Sequence, residues 1–195
     1  MNYLAHFHIA QVTGTSISGA LLGDFVKGHA WQSLSTDWQV GILLHRKVDS
    51  FTDQQLAKMN ASAYFSAPLR RYSGIALDVY FDYLLSRHWV KFSQQDKSAF
   101  IEHCYLQLQQ APLKGRPAYT IEHMCQHDWL SQYGEYKQLS HTLKAISRRL
   151  RRPVKLELMF NDIEQHGAAL EACFLELYPQ LLRYAEQQVE HLIKT

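Results

Sequence analysis

Apolar residues recur at helical spacing from one end of this chain to the other, and no stretch alternates with the period of two that a half-buried strand needs. That pattern leaves an all-α fold as the reading. At 195 residues the chain is long enough for one domain with a real core, so residues 1–195 are read as a single helical bundle. Hydrophobic residues at 47% and aromatics at 12% exclude a disordered chain.

The expected helices follow from the breakers. A first helix covers residues 2–12 and stops before "TGTS". Ser16 or Ser18 caps a second, "GALLGDFVKG", ending near Gly28. Thr36 or Asp37 starts a long helix to about residue 60, and Pro68 fits the first turn of a fourth, "PLRRYSGIALDVYFDYLLSRHWVKF". Ser93 and Asp96 open a segment to about 110, and "APLKGRP" is a loop. Shorter helices are expected over 118–132 and 134–150, with a break at Pro153. A final helical region, 154–193, is expected to be interrupted near Gly167 and by Pro179.

Three cysteines without a Cys-x-x-Cys pair suit a reducing cytoplasm. The N-terminus lacks the basic region of a signal peptide, and no apolar run approaches a membrane span. The net charge of +2 says little by itself, so the distribution of charge matters.

Four of the apolar segments carry acids or histidines where a core pattern wants aliphatics. In "LAHFHIA", His6 and His8 point to roughly opposite faces at about 100° per residue, so at most one serves an internal site. His6, between Ala5 and Phe7, is the better choice. In "GALLGDFVKG", Asp24 must be solvated, paired or bound to a metal. In "GILLHRKVDSFTD", His45 and Asp49 are four residues apart on one face, with Asp53 a turn further on. In "LDVYFDYLLSRHW", Asp78 and Asp82 repeat that spacing, and such a pair repels unless a cation or a shared proton lies between. Arg87 is an alternative neutraliser; His88 reaches the same ion only where the helix end bends. Each residue alone has an ordinary reading as surface or core. Convergence of all four segments on a divalent ion satisfies them together, with Mn²⁺ or Mg²⁺ favoured by carboxylates and Zn²⁺ or Fe²⁺ by imidazoles. Hydrolysis of a phosphate ester is the natural chemistry of such a site.

The motifs "MNYLAHFHIA", "SGALLGDFVKG", "GILLHRKVDSFTD" and "LDVYFDYLLSRHW" resemble, in order and spacing, those of the bacterial acyl carrier protein phosphodiesterases, or holo-ACP hydrolases. The resemblance implies a distorted form of the HD phosphohydrolase fold and hydrolysis of holo-acyl carrier protein to apo-protein and 4′-phosphopantetheine, with a divalent metal, usually Mn²⁺. It places Asp24, His45, Asp49, Asp78 and Asp82 at the family's conserved positions, with His6 and His88 at conserved histidines. Two departures stand out: His45 is followed by Arg46 where HD proteins carry an adjacent Asp, and Tyr83 stands where many members have His.

On this basis Asp24, His45, Asp49 and Asp82, with His6, are the expected metal ligands. Asp78 is a further ligand or the base that aligns water, Asp24 serves in catalysis as well, and Arg46 or Arg87 contacts a phosphate oxygen. Acyl carrier proteins are acidic, and residues 141–155 hold six of the twenty Lys and Arg with no acid. Arg148, Arg149, Arg151 and Arg152 are therefore expected to steer the carrier, with Lys27, Arg70 and Arg71 as further contributors. Neither nucleic acid nor membrane is expected as a partner. The alternatives are an HD-type nucleotide phosphohydrolase, for which no phosphate-cradling glycine loop is present, and a non-catalytic helical binding module.

Overall fold

A computed structural model describes residues 1–194, and among them there are ten α-helices and no strand. These are α1 (Tyr3–Val12), α2 (Ile17–Leu22), α3 (Thr36–Lys58), α4 (Ser73–Arg87), α5 (Trp89–Phe92), α6 (Lys97–Gln110), α7 (Arg116–Gln126), α8 (Trp129–Gln132), α9 (Gln138–Ser147) and α10 (Met159–Ile193). The long helices α3 and α10 pack together, α2 lies across α3, and α4 packs on α1, α9 and α10. The core runs through all of them, from Leu4 and Phe7 through Ile42, Phe81 and Leu84 to Phe174 and Tyr178. No helix among the described residues is long and apolar enough to cross a membrane.

Helix α1 is buried on all sides from Leu4 to Ala10, which is why His6 and His8, on opposite faces, are both enclosed. His8 sits in the aromatic core, its Nδ1 2.8 Å from the Tyr178 hydroxyl. Helices α2 and α3 cross with their backbones almost touching: a Cβ on Gly19 would stand 2.9 Å from Gly41 Cα. Only glycine at both positions allows that approach, and it draws the end of α2 against the ring of His45.

Several boundaries differ from the sequence expectation, each for a local reason. Helix α2 ends at Leu22 instead of near Gly28, so Asp24 lies in a turn. Arg46 donates to the carbonyls of Val26 (2.7 Å) and Gly28 (2.9 Å), and Lys27 to that of Asp24 (2.9 Å), taking acceptors that another helical turn would use. Helix α4 starts at Ser73, not at Pro68. Before it, Asp162 accepts from the backbone and hydroxyl of Ser66, pinning the preceding loop to α10. The expected helix over 118–132 is divided at Asp128, whose φ is +46°, and the one over 134–150 is confined to α9.

Helix α10 runs unbroken through both Gly167 and Pro179, against expectation. A proline inside a helix costs about 3 kcal/mol. Here Phe174, Leu177, Tyr178 and Leu181 are fully buried around it, and each such side chain contributes about 1.5–3 kcal/mol. Packing wins. Gly167 leaves room for the Tyr80 hydroxyl, which donates to its carbonyl at 3.4 Å.

Candidate metal centre

The centre is assembled from α1, the turn after α2, and α3. His45 and Asp49 lie one turn apart on α3, so the helix itself sets His45 Nε2 3.2 Å from Asp49 Oδ2. Helix α1 brings His6 alongside, its ring stacked on that of His45 with centroids 3.8 Å apart and planes 14° from parallel. His6 Nε2 is 3.1 Å from Asp49 Oδ1 but out of line for a hydrogen bond. Asp24, half exposed in its turn, places Oδ1 3.6 Å from His45 Nε2. One donor atom each from His6, His45 and Asp49 lies within 4.8 Å of the others.

The electrostatics suit a cation. Burial, and then the facing His45, lower His6 to about 3, so its imidazole is neutral and offers a lone pair. Burial alone would raise Asp49, but the adjacent His45 and His6 nitrogens outweigh it and hold the carboxylate well below its usual range. Asp24 is raised, by burial first and by Asp49 in part, against the pull of His45. His6 Nε2 and His45 Nδ1 are buried without a hydrogen-bond partner, which costs about 1–3 kcal/mol each unless something else satisfies them. An orphaned imidazole nitrogen beside a carboxylate and a second imidazole is the donor set of a borderline divalent ion. The residues fit one.

The other expected site residues lie apart from this cluster. Asp82 is fully buried on α4 and accepts from the backbone N–H groups of Leu4 (2.8 Å), Asn2 and Ala5 (both 3.3 Å). Its oxygens cap the N-terminus of α1, and burial still pushes it up to about 7. Asp78, a turn earlier, accepts from the α-amino group of Met1 at 2.6 Å, and that nitrogen is 3.9 Å from Asp49 Oδ1. Burial works against the Met1 ammonium, but Asp78 and Asp49 keep it charged. The cation expected beside the Asp78–Asp82 pair is thus supplied by the start of α1. Asp53 is raised by burial and by Asp78, and no donor of the cluster reaches it.

The expected phosphate contacts are occupied elsewhere. Arg46 holds the loop carbonyls already described, and Arg87 pairs with Glu171 at 3.3 Å. His88 Nε2 meets the same Glu171, 2.5 Å away, where α4 ends, so it faces α10 and not the ion site. Arg148, Arg149, Arg151 and Arg152 are all exposed at the end of α9 and just beyond it.

Two site residues escaped sequence reasoning. Gly23 abuts the His45 side chain, where any Cβ would collide with it; its signal was a glycine immediately before the functional acid. Tyr3 lies near both Asp24 and Arg149, and nothing in the sequence pointed to it.

A profile of the family described as acyl carrier protein phosphodiesterase matches residues 1–181. Over 191 residues the chain is 36% identical to the acyl carrier protein phosphodiesterase of Yersinia enterocolitica serotype O:8, a match covering 96% of this chain and 99% of that protein. The proteins of that name from Enterobacter sp. strain 638 and Pectobacterium atrosepticum are 32% and 34% identical, again over 96% of this chain and 99% of each relative. No solved structure matches.

Proposed function

The chain belongs to the acyl carrier protein phosphodiesterase family, and from that premise we propose that it hydrolyses holo-acyl carrier protein to the apo-protein and free 4′-phosphopantetheine. The observation that carries the mechanism is the trio of buried His6 and His45 with the part-exposed Asp49, in which an imidazole nitrogen has no partner of its own. His6, His45 and Asp49 would hold a divalent ion, with Asp24 beside them on its turn. Mn²⁺ is the ion we favour, ahead of Mg²⁺, Fe²⁺ or Zn²⁺. Such an ion would neutralise charge on the phosphodiester and acidify water.

The residues divide the remaining work. The stacked His6 and His45 rings keep their orientation by packing, and Asp49 stays anionic between them. Asp24, half exposed at the edge of the trio, takes the proton of the attacking water. Water adds to phosphorus as the bond to the serine oxygen breaks; the serine leaves with a proton and 4′-phosphopantetheine is released. Asp82 and Asp78 act by fixing the start of α1, and with it His6. We assign phosphate and carrier recognition to the exposed arginines after α9, because Arg46 and Arg87 are engaged elsewhere. A distorted HD-type arrangement, a cytoplasmic location and the absence of nucleic-acid or membrane partners belong to the same reading. The nucleotide phosphohydrolase and the non-catalytic module lack comparable support.

The test is mass spectrometry of holo-acyl carrier protein incubated with the protein and Mn²⁺. Loss of the 4′-phosphopantetheine mass is expected, and an unchanged carrier across Mn²⁺, Mg²⁺, Fe²⁺ and Zn²⁺ refutes the proposal.

A further inference from the structure

A substrate of the proposed kind brings more than a phosphate. The phosphodiester carries a long flexible arm with a branched apolar carbon, a hydroxyl, two amides and a terminal thiol. Such an arm needs apolar walls and a few polar groups, held beside the cluster.

A cavity of about 380 Å³ has that character. Tyr3, Trp129, Tyr133 and Ile146 form its walls, while Gln138 and Thr142 offer amide and hydroxyl groups. Its volume lies within the range of about 300–1,000 Å³ found for small-molecule sites. Arg149 stands at its edge, and it is the only one of the four clustered arginines among the lining residues.

The cavity adjoins the cluster through the first residues of α1. Asn2 and Tyr3 line it, and the α-amino nitrogen of Met1, next to Asn2 in the chain, is 3.9 Å from Asp49 Oδ1. Tyr3 and Arg149 share the wall of this cavity. A larger cavity of about 1090 Å³, with Trp31 and Trp38 in its wall, contains none of the cluster residues.

Resting on the function proposed above, we infer that the cavity between the start of α1 and helices α8 and α9 is the binding site for the pantetheine arm of the substrate. Arg149 marks where the arm's phosphate end and the carrier meet the enzyme. The neighbouring Arg148, Arg151 and Arg152 are left to face the carrier alone.

The inference is tested on the full, metal-free chain by NMR titration with pantetheine itself, following the tryptophan indole N–H signals. The signal of Trp129, identified by its loss in Trp129→Phe, is expected to shift saturably while those of Trp31 and Trp38 stay in place. Ala145→Phe, an exposed substitution on the cavity's edge, is expected to abolish the shift. No saturable shift, or one confined to Trp31 and Trp38, overturns the inference. A second measurement uses Mn²⁺ and two substrates. In Ala145→Phe, kcat/KM for holo carrier divided by that for bis(p-nitrophenyl) phosphate is expected to fall about tenfold; an unchanged ratio also overturns it. If the wild-type protein cleaves neither substrate, the proposed function fails, and the titration alone decides whether the cavity binds the arm.

Discussion

Gly23→Ala should disable the centre without unfolding the protein. Gly23 has an ordinary helical backbone, φ −51° and ψ −36°, so alanine brings no backbone strain. Its Cβ would stand 2.7 Å from His45 Cβ and closer still to the ring, where ordinary contacts begin at 3.4 Å. His45 must therefore move by about 1 Å, and a misplacement of that size costs about 100-fold in rate, equal to about 2.7 kcal/mol at the barrier. Overpacking should cost about 1–3 kcal/mol of stability, against a typical total of about 5–15, so most molecules stay folded. The assay is kcat/KM on holo-acyl carrier protein as a function of Mn²⁺, alongside thermal melting. Gly74→Ala is the control, since a Cβ there meets nothing within 4 Å. Activity of Gly23→Ala within twofold of wild type, at unchanged Mn²⁺ dependence, would refute the placement of His45 in the centre.

Chelation should abolish turnover and lower the melting temperature, with Mn²⁺ restoring both in the wild type but not in His45→Ala; metal content and melting curves check this. Arg148→Glu with Arg152→Glu should raise KM for the acidic carrier about tenfold and leave kcat nearly unchanged, with a weaker dependence of KM on salt. The metal-free protein should lose stability in acid. His6 and His8 are lowered to about 3 and about 4, in both cases chiefly by burial. At these two histidines the unfolded chain binds more protons, and their contribution, offset in part by the raised Asp82, is complete above pH about 6.5 and lost as pH falls through those values. Urea midpoints at pH 7, 5 and 4 should show the decline, and His8→Gln should reduce its slope.

Much of the fold could be read because helical apolar spacing is a local property. The cap at Ser16, the loop before Arg116 and the long α3 needed no partner to be recognised. The continuity of α10 was hidden because it depends on what surrounds Pro179, and the early end of α2 because Arg46 reaches back across twenty residues to Val26. In the centre, His45 and Asp49 were legible because one helix turn fixes their geometry. His6 was legible because its neighbour His8 faces away, toward Tyr178.

Asp49, Asp78 and Asp82 were legible as a group but not by role, and the reason is physical. A carboxylate's task is set by the donors that meet it. Asp49 meets imidazoles, Asp82 meets the amides of Asn2, Leu4 and Ala5, and Asp78 meets an ammonium group. All but one of those donors come from the first six residues. The exception, His45, is itself stacked on His6. The start of α1 is therefore both the counter-charge to α4 and the carrier of one wall of the centre. Any change that loosens Asp82 from the amides must also free His6 to move, so damage to the α1 cap should appear first as weakened metal binding.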